Sequence, residues 1–535
     1  MDKDDSLKLS RRKFCKIAGL AGFATQAVTL PSMAYLHGKD YGTYAGWESF
    51  EGDAHYFDRK PFELKGGVKE LYEKFLPIEE EVVRPNQMIE MSMARMGFIG
   101  MLKQKNPNWK YEDGPAALGL PKPIVDYYKK WKTKGFDYFK TDFEHLTITP
   151  KLNKYIHDTY DDHTSISDAY FQAWGHTQNF PHEIEDPPEV SDYQYHANGK
   201  KLDLREVNKG RKKRGALLKF KTPELAAELI KKTAYQFGAT LVGIAKFNPD
   251  YVYKHIRGLS APKHGHHGPP NLMANDPVPK HWKYCIVVGI PHEWDQLASN
   301  PQYGDSFDAY MRLRLCGVRI AEFVKGLGFA ARWHIPPFSY DLAAPPYAIE
   351  AGLGQFGRMG TVITPETGGN IRLAVITTEL EMAIDQPIDF GVTEFCAKCK
   401  ICAEQCPSNA ISYSDKPDQV VRGIRHWEVD KAACFKFWEE TMGQIGCRLC
   451  IAACPYSRKG NWVHGMARAL DPLDKTGATS SGLLWMQRTF WKSPKKEEYL
   501  PAPTGRHASY RPAPTWLQTE RYFDINVPNP KDIGK

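Results

Sequence analysis

Cys396-Ala-Lys-Cys399-Lys-Ile-Cys402-Ala-Glu-Gln-Cys406-Pro407 and, further along, Cys434-x12-Cys447-Arg-Leu-Cys450-Ile-Ala-Ala-Cys454-Pro455 hold eight of the eleven cysteines of a 535-residue chain. Thiolates at intervals of two and three residues can wrap a cubane, because one loop delivers three sulfurs to three irons. Where two such runs occur together, the fourth cysteine of each run ligates the other cluster. The spacing therefore predicts one 4Fe–4S cluster on Cys396, Cys399, Cys402 and Cys454, and a second on Cys434, Cys447, Cys450 and Cys406. Structural zinc prefers separated pairs in a tetrahedral site, and a four-cysteine run closed by proline is a different pattern. The expected chemistry is electron transfer, one electron at a time and in more than one step.

At the other end of the chain, Ser10-Arg11-Arg12-Lys13-Phe14-Cys15-Lys16 is a twin-arginine sequence. An uncharged stretch from Ile17 to Ala34 follows, closing on Ser32-Met33-Ala34 as a small-residue cleavage site. Pro31 and the abundance of small residues argue against a membrane span. The order predicts a signal peptide over 1–34 for a protein exported already folded, with its cofactors inserted. Export also decides the redox reading: these cysteines are expected to be metal ligands rather than extracellular disulfides.

Formal net charge is +8, and the first sixteen residues carry six Lys/Arg against three Asp, so the mature chain is only weakly basic. The one dense basic run is Lys209-Gly-Arg211-Lys212-Lys213-Arg214. A solvated linker is its first reading, with anionic headgroups or an acidic partner second; no nucleic-acid partner is expected of an exported chain. Beyond the signal segment nothing reaches the ~18 uninterrupted apolar residues of a transmembrane helix, so if the mature protein stays at a membrane, something else holds it there.

Composition divides the chain further. Residues 35–215 are polar, aromatic and proline-punctuated, and read as an α-rich lead unit. From 216 to about 390 helix and strand signals alternate. Thr222-Pro223 caps a helix, with proline at the first helical position and Leu225, Leu229 and Ile230 as its expected apolar face. Strands are expected over 239–247, 284–290, 329–335 and 371–377, and a helix over 306–327. Between them 251–283 is rich in Gly, Pro and His; a structureless stretch of that length inside a domain usually has a function, and we read it as an insertion beside the active site. The cluster unit spans 391–470. A tail rich in Pro, Trp and Tyr, 471–535, is expected to pack on the core.

Gly352-Leu-Gly354-Gln-Phe-Gly357 matches the dinucleotide fingerprint, with Glu379 where a ribose-binding acid would fall. Its context does not fit. Pro345 and Pro346 exclude a preceding first strand, and the following Arg358-Met-Gly360-Thr-Val-Ile-Thr-Pro365 leaves no room for a crossover helix. The glycines instead predict close backbone approach to something large and flat, or acidic. His264, His266 and His267 read as solvated loop histidines, and Cys285 and Cys316 as inert core.

Twin-arginine signal, an α/β unit containing Ala351-Gly-Leu-Gly-Gln-Phe-Gly-Arg358, then two ferredoxin runs: in this order the chain resembles the corrinoid- and iron–sulfur-dependent reductive dehalogenases of the exported, respiratory type. Epoxyqueuosine reductases are similar in the α/β and cluster portions but are cytoplasmic. The resemblance implies an α+β chain with a nitroreductase-like core that holds a base-off corrinoid of cobalamin type, bound largely through backbone and small residues, here Gly352, Gly354, Gly357, Arg358 and Gly360. It implies a tyrosine over the cobalt at Tyr310, an arginine at Arg372 that favours the tyrosine's ionised form, and, where the family often has asparagine, Ser339. It further implies an organohalide substrate, a small membrane anchor protein, a membrane electron donor, and a place on the outer face of the cytoplasmic membrane in organohalide respiration. The rival reading is an exported iron–sulfur relay without a corrinoid of its own. Two clusters need only ~60–80 residues of wrapping, by comparison with ferredoxin motifs, so a relay leaves the 216–390 unit without a purpose.

Overall fold

The computed structural model describes residues 219–252, 281–298, 304–334, 342–421, 423–430, 447–457 and 478–490, with Cys434 and its neighbour Ala433. It also describes short pieces around 59–70 and 106–114 and a hairpin of β1 (Gln194–Ala197) and β2 (Lys200–Asp203). The signal segment, most of 35–215, the greater part of the insertion with its three histidines, Ser339, and the tail after 490 lie outside the described residues.

The centre is a four-stranded antiparallel sheet in the order β3 (Leu241–Lys246), β4 (Tyr284–Ile290), β8 (Arg372–Thr378), β5 (Ala331–His334). Both middle strands are almost continuously apolar because both of their faces are covered. Alternate residues of a strand point to opposite faces. Ile286, Val288, Ala374 and Ile376 accordingly join one core, under α1 (Pro223–Gln236) and α3 (Gly304–Gly326). Cys285, Val287, Leu373 and Val375 join the other, under α4 (Ala344–Glu350).

The cap of α1 forms as expected, Thr222 Oγ1 accepting from Leu225 N at 3.3 Å. Its buried face differs from the expected one. Leu225 and Leu229 are 45 % and 38 % exposed, while Ala226, Ala227, Ile230 and Ala234 are buried. Small residues let the helix axis approach strand and neighbouring helix, and the leucines are left on the outer side. In α3 the buried apolar residues are Ala309, Leu313, Cys316, Val318, Ile320, Ala321 and Val324, while Met311 and Leu315 are half-buried.

Pro345 and Pro346 start the helix α4 rather than a strand, because proline is tolerated where the first helical N–H groups have no partner. After α4 the glycine segment forms a small hairpin, β6 (Gln355–Phe356) with β7 (Val362–Ile363). Glu379, expected as a ribose acid under the dinucleotide reading, accepts from Ala330 N at 3.0 Å at the sheet edge. Neither a strand before the glycines nor a helix after them exists here, so the fingerprint is not a dinucleotide site.

The cluster unit is built of short pieces: α5 (Val392–Cys399), α6 (Ile401–Glu404), a hairpin of β9 (Gln419–Val421) and β10 (Ile424–His426), and α7 (Leu449–Ala453). The short helix α2 (Trp294–Ala298) contributes Trp294 and Leu297 to its core. From the tail, α8 (Ala478–Phe490) packs Leu484 against it. Arg488 of α8 grips Glu404 with two nitrogens, at 2.6 and 3.0 Å, and donates to the Cys399 carbonyl at 3.0 Å. Among the described residues no helix is long and apolar enough to cross a membrane.

Candidate metal centres and active site

The two cysteine runs are local copies of one another. In each, the residue after the second of the spaced cysteines is a long basic one in the left-handed region: Lys400 at φ 54° after Cys399, Arg448 at φ 45° after Cys447. A left-handed turn costs a non-glycine residue roughly 1–2 kcal/mol. It reverses the chain so that Cys402 and Cys450 face back toward their own run. A short helix then carries the chain to the fourth cysteine, and the proline after it stops the helix.

Each fourth cysteine ends beside the other run's first three. Burial pushes the Cys396 thiol up to about 12, with Cys454 the next contributor. Cys399 and Cys402 are raised in the same way, by burial first and then by Cys396, with Cys454 acting on both. On the other side burial raises Cys434, followed by Cys447 and Cys406. Cys447 is pushed up to about 12 by burial, with Cys406 also acting on it, and Cys450 is raised by burial, then Cys447, Cys434 and Cys406. The thiols thus act on one another chiefly as Cys396, Cys399 and Cys402 with Cys454, and as Cys434, Cys447 and Cys450 with Cys406, while Cys450 also acts on Cys402.

The chemistry of this donor set suits iron–sulfur clusters. Buried and half-buried thiols gathered in one place oppose each other's ionisation, and iron cations remove that opposition. None of the ten described cysteines forms a disulfide. Among the described residues no three His, Cys, Asp or Glu side chains converge on a single-ion position. Around a cubane each thiolate binds its own iron, so its four ligands stand further apart than those of a single ion.

Tyr310 and Arg372 meet at one end of the sheet. Arg372 opens β8 opposite Ile290, the last residue of β4. Tyr310 lies in the second turn of α3 and is half-buried. The Arg372 guanidinium carbon stands 4.5 Å from the centroid of the Tyr310 ring, within cation–π range. An Nη of Arg372 donates to Ser306 Oγ in the first turn of the same helix. The Nε of Arg372 is buried without a hydrogen-bond partner among the described residues, a polar atom that a bound group could satisfy. Ser306, which holds the guanidinium over the ring, has no motif around it and is visible only once strand and helix are packed.

A short route joins this pair to the first cysteine group. Ser457 N donates to the Cys454 carbonyl at 3.0 Å. Gly369 N donates to Ser457 Oγ at 3.0 Å. The next residue, Asn370, brackets the backbone of His292, accepting from its N at 3.0 Å and donating to its O at 3.1 Å. Arg372 follows two residues later.

The glycine segment answers to packing within the chain. A Cβ on Gly354 would stand 2.0 Å from the Ile363 carbonyl oxygen, and one on Gly352, at φ +69°, 2.3 Å from that of Gln386. At Gly357 and Gly360 the nearest atoms belong to Ile363 and Val429. The Cβ direction of each of these glycines is thus taken by neighbouring backbone or apolar side chains. Arg358 is likewise turned elsewhere, onto the cluster unit, where its Nε and an Nη donate to the Cys396 carbonyl at 3.1 and 2.9 Å. Of the residues assigned to a corrinoid or its chemistry, Tyr310 and Arg372 lie against one another, and Arg372 keeps a buried Nε for a bound group.

Comparison with known proteins agrees with the motif reading. Residues 395–457 match the family model described as a 4Fe-4S dicluster domain. The chain is 31 % identical over 275 residues to the tetrachloroethene reductive dehalogenase of Sulfurospirillum multivorans, an alignment covering 46 % of this chain and 54 % of that protein. It is 29 % identical over 309 residues to the enzyme of the same name from Dehalobacter restrictus, covering 51 % and 54 %. The chain thus spans about half the length of the curated relatives it matches. Among solved structures, a catabolic reductive dehalogenase aligns at 25 % identity with a TM-score of 0.45, over 61 % of this chain and 41 % of that one.

Proposed function

We propose that this protein is a reductive dehalogenase that removes halide from an organohalide by R–X + 2e⁻ + H⁺ → R–H + X⁻. The observation that carries the reading is the pairing of Tyr310 with Arg372 at a sheet end connected through Gly369 and Ser457 to the Cys454 group. When bound, two 4Fe–4S clusters supply single electrons at low potential and a base-off corrinoid supplies a cobalt centre able to accept them. Cys396, Cys399, Cys402 and Cys454 would hold one cluster, and Cys434, Cys447, Cys450 and Cys406 the other. Tyr310 and Arg372 would face the corrinoid.

In this reading the Tyr310 hydroxyl gives the proton, as a positioned general acid. The Arg372 cation, fixed on the ring face by Ser306, stabilises the negative charge that the departing proton leaves behind. Ser339 would complete the substrate side. The twin-arginine segment supports export, and in this reading the protein attaches peripherally through a separate anchor protein, facing a membrane electron donor in organohalide respiration.

Elemental analysis of the anaerobically purified, cofactor-reconstituted chain tests the reading. Eight irons and one cobalt per chain are expected. Eight irons with no extractable corrinoid would replace the proposal with the electron-relay reading.

A further inference from the structure

Arg358 is a buried cation with no paired carboxylate among the described residues. Its side chain is 1 % exposed. Besides the two bonds to the Cys396 carbonyl, it donates to the Ser412 carbonyl at 2.6 Å and reaches the Ala397 carbonyl at 3.4 Å. Its guanidinium lies 4.6 Å from the centroid of the Trp427 ring. Among the described residues no carboxylate pairs with it; the acid it influences, Asp415, is a surface residue held by Lys400. Taking a charge out of water costs several kcal/mol unless an opposite charge is near, and carbonyl dipoles and an indole face offset only part of that.

A compensating charge has a natural source. A 4Fe–4S cluster with four thiolates carries a net charge of about −2 oxidised and −3 reduced, and such potentials depend on surrounding charge and hydrogen bonding. A fixed cation stabilises the reduced form more, because that form holds the extra electron. Arg488, on the outer side of the same group, bonds the Cys399 carbonyl, but Glu404 offsets its charge and it is partly exposed. Around the second group the charges are mixed: Asp430 acts on Cys434, and Arg448 acts on Cys447 in the opposite sense.

Resting on the two-cluster reading above, we infer that Arg358, with Arg488 as a weaker outer partner, is the counter-charge of the cluster held by Cys396, Cys399, Cys402 and Cys454, and selectively raises its reduction potential. The step concerned is the gain of one electron by that cluster from an external low-potential one-electron donor, with no proton taken up. Arg358 is a positioning and tuning residue and touches no substrate.

The test is a redox titration of the full holoprotein with dithionite, followed by electron paramagnetic resonance, for wild type, Arg358→Gln and Arg358→Lys. Glutamine keeps donors for the carbonyls and removes the charge; lysine keeps the charge and removes the fork. With Arg358→Gln the reduced-to-oxidised ratio of this cluster at the wild-type midpoint should fall about tenfold, about 59 mV for one electron. The other cluster should shift far less, and Arg358→Lys should restore most of the difference. Equal shifts of both clusters, equal effects of the two substitutions, or no shift in Arg358→Gln would reduce Arg358 to a mechanical tie and overturn the inference. If Arg358→Gln fails to hold its iron, Arg488→Gln decides: a smaller downward shift confined to the same cluster supports the inference, and none overturns it. A wild-type protein without eight irons would instead remove the two-cluster reading, a separate failure that iron analysis detects first.

Discussion

The sheet unit and the cluster unit lie side by side and are held together by different means. The sheet unit has four paired strands, helices on both faces, and interior residues such as Ile286, Val287, Val375 and Ile376 that are wholly excluded from water. Wherever its backbone enters the left-handed region among the described residues, glycine is present, as at Gly238, Gly328 and Gly352. The cluster unit has strands of three residues, helices of four to eight, and cysteines throughout its core. All three left-handed non-glycine residues among the described ones, Lys400, Asn409 and Arg448, lie in it. Such strain persists only where the surroundings over-determine the conformation. The difference teaches that the sheet unit is stabilised by its own apolar burial, whereas the cluster unit depends on metal–thiolate bonds to fix its turns.

The comparison breaks first at the clusters. Removing the iron anaerobically with a chelator should release residues 396–406 and 447–457 to fast amide exchange while β4 and β8 keep their protection, as mass spectrometry of exchanged peptides would report. Equal loss in both units would make them one cooperative structure. Within the same unit, Cys454→Ala should damage the cluster of Cys396, Cys399 and Cys402 in resonance spectra; loss of the Cys434 cluster alone would refute the crossed assignment.

Next in size is the sheet end. Tyr310→Phe keeps the ring under Arg372 and removes the acidic hydroxyl, so cobalt-normalised turnover should fall ~10²–10⁴-fold with cluster spectra unchanged. Turnover near wild type would move the proton donor elsewhere. Tyr347 is not a candidate: it is fully buried and its hydroxyl donates to the Asn248 carbonyl at 2.6 Å. The smallest effect sharpens the reading of the glycines. Gly354→Ala should lower stability by about 1–3 kcal/mol, as overpacking does, and leave the cobalt content of the folded fraction unchanged. Unchanged melting with lost cobalt would return the glycine to a cofactor cradle.

Several features were legible because they are local. The Thr222 cap depends on three adjacent residues, and the continuous apolar runs of β4 and β8 state that both faces are covered. The proline pair before Tyr347 excludes a strand by its missing donors alone. The inner face of α1 was not legible, since an alanine face and a leucine face have the same period and only the distance to the sheet chooses between them. The glycine segment is open for a related reason: a missing Cβ says that something comes close without saying what.

By itself the sequence determined which residues are ligand-grade and how they are grouped, because thiolate spacing, proline stops and capping hydroxyls act over a few bonds. It also determined that the glycines admit a close neighbour and that Arg358 follows them. Only the tertiary structure decided that this neighbour is the chain's own Ile363 and Gln386 backbone, that the Arg358 cation is aimed at Cys396, and that Ser306 holds Arg372 over Tyr310. Except for Gly354 with Ile363, these contacts join residues tens of positions apart. Their geometry is set by how sheet, helix and cluster loops pack, and local periodicity carries no record of that packing.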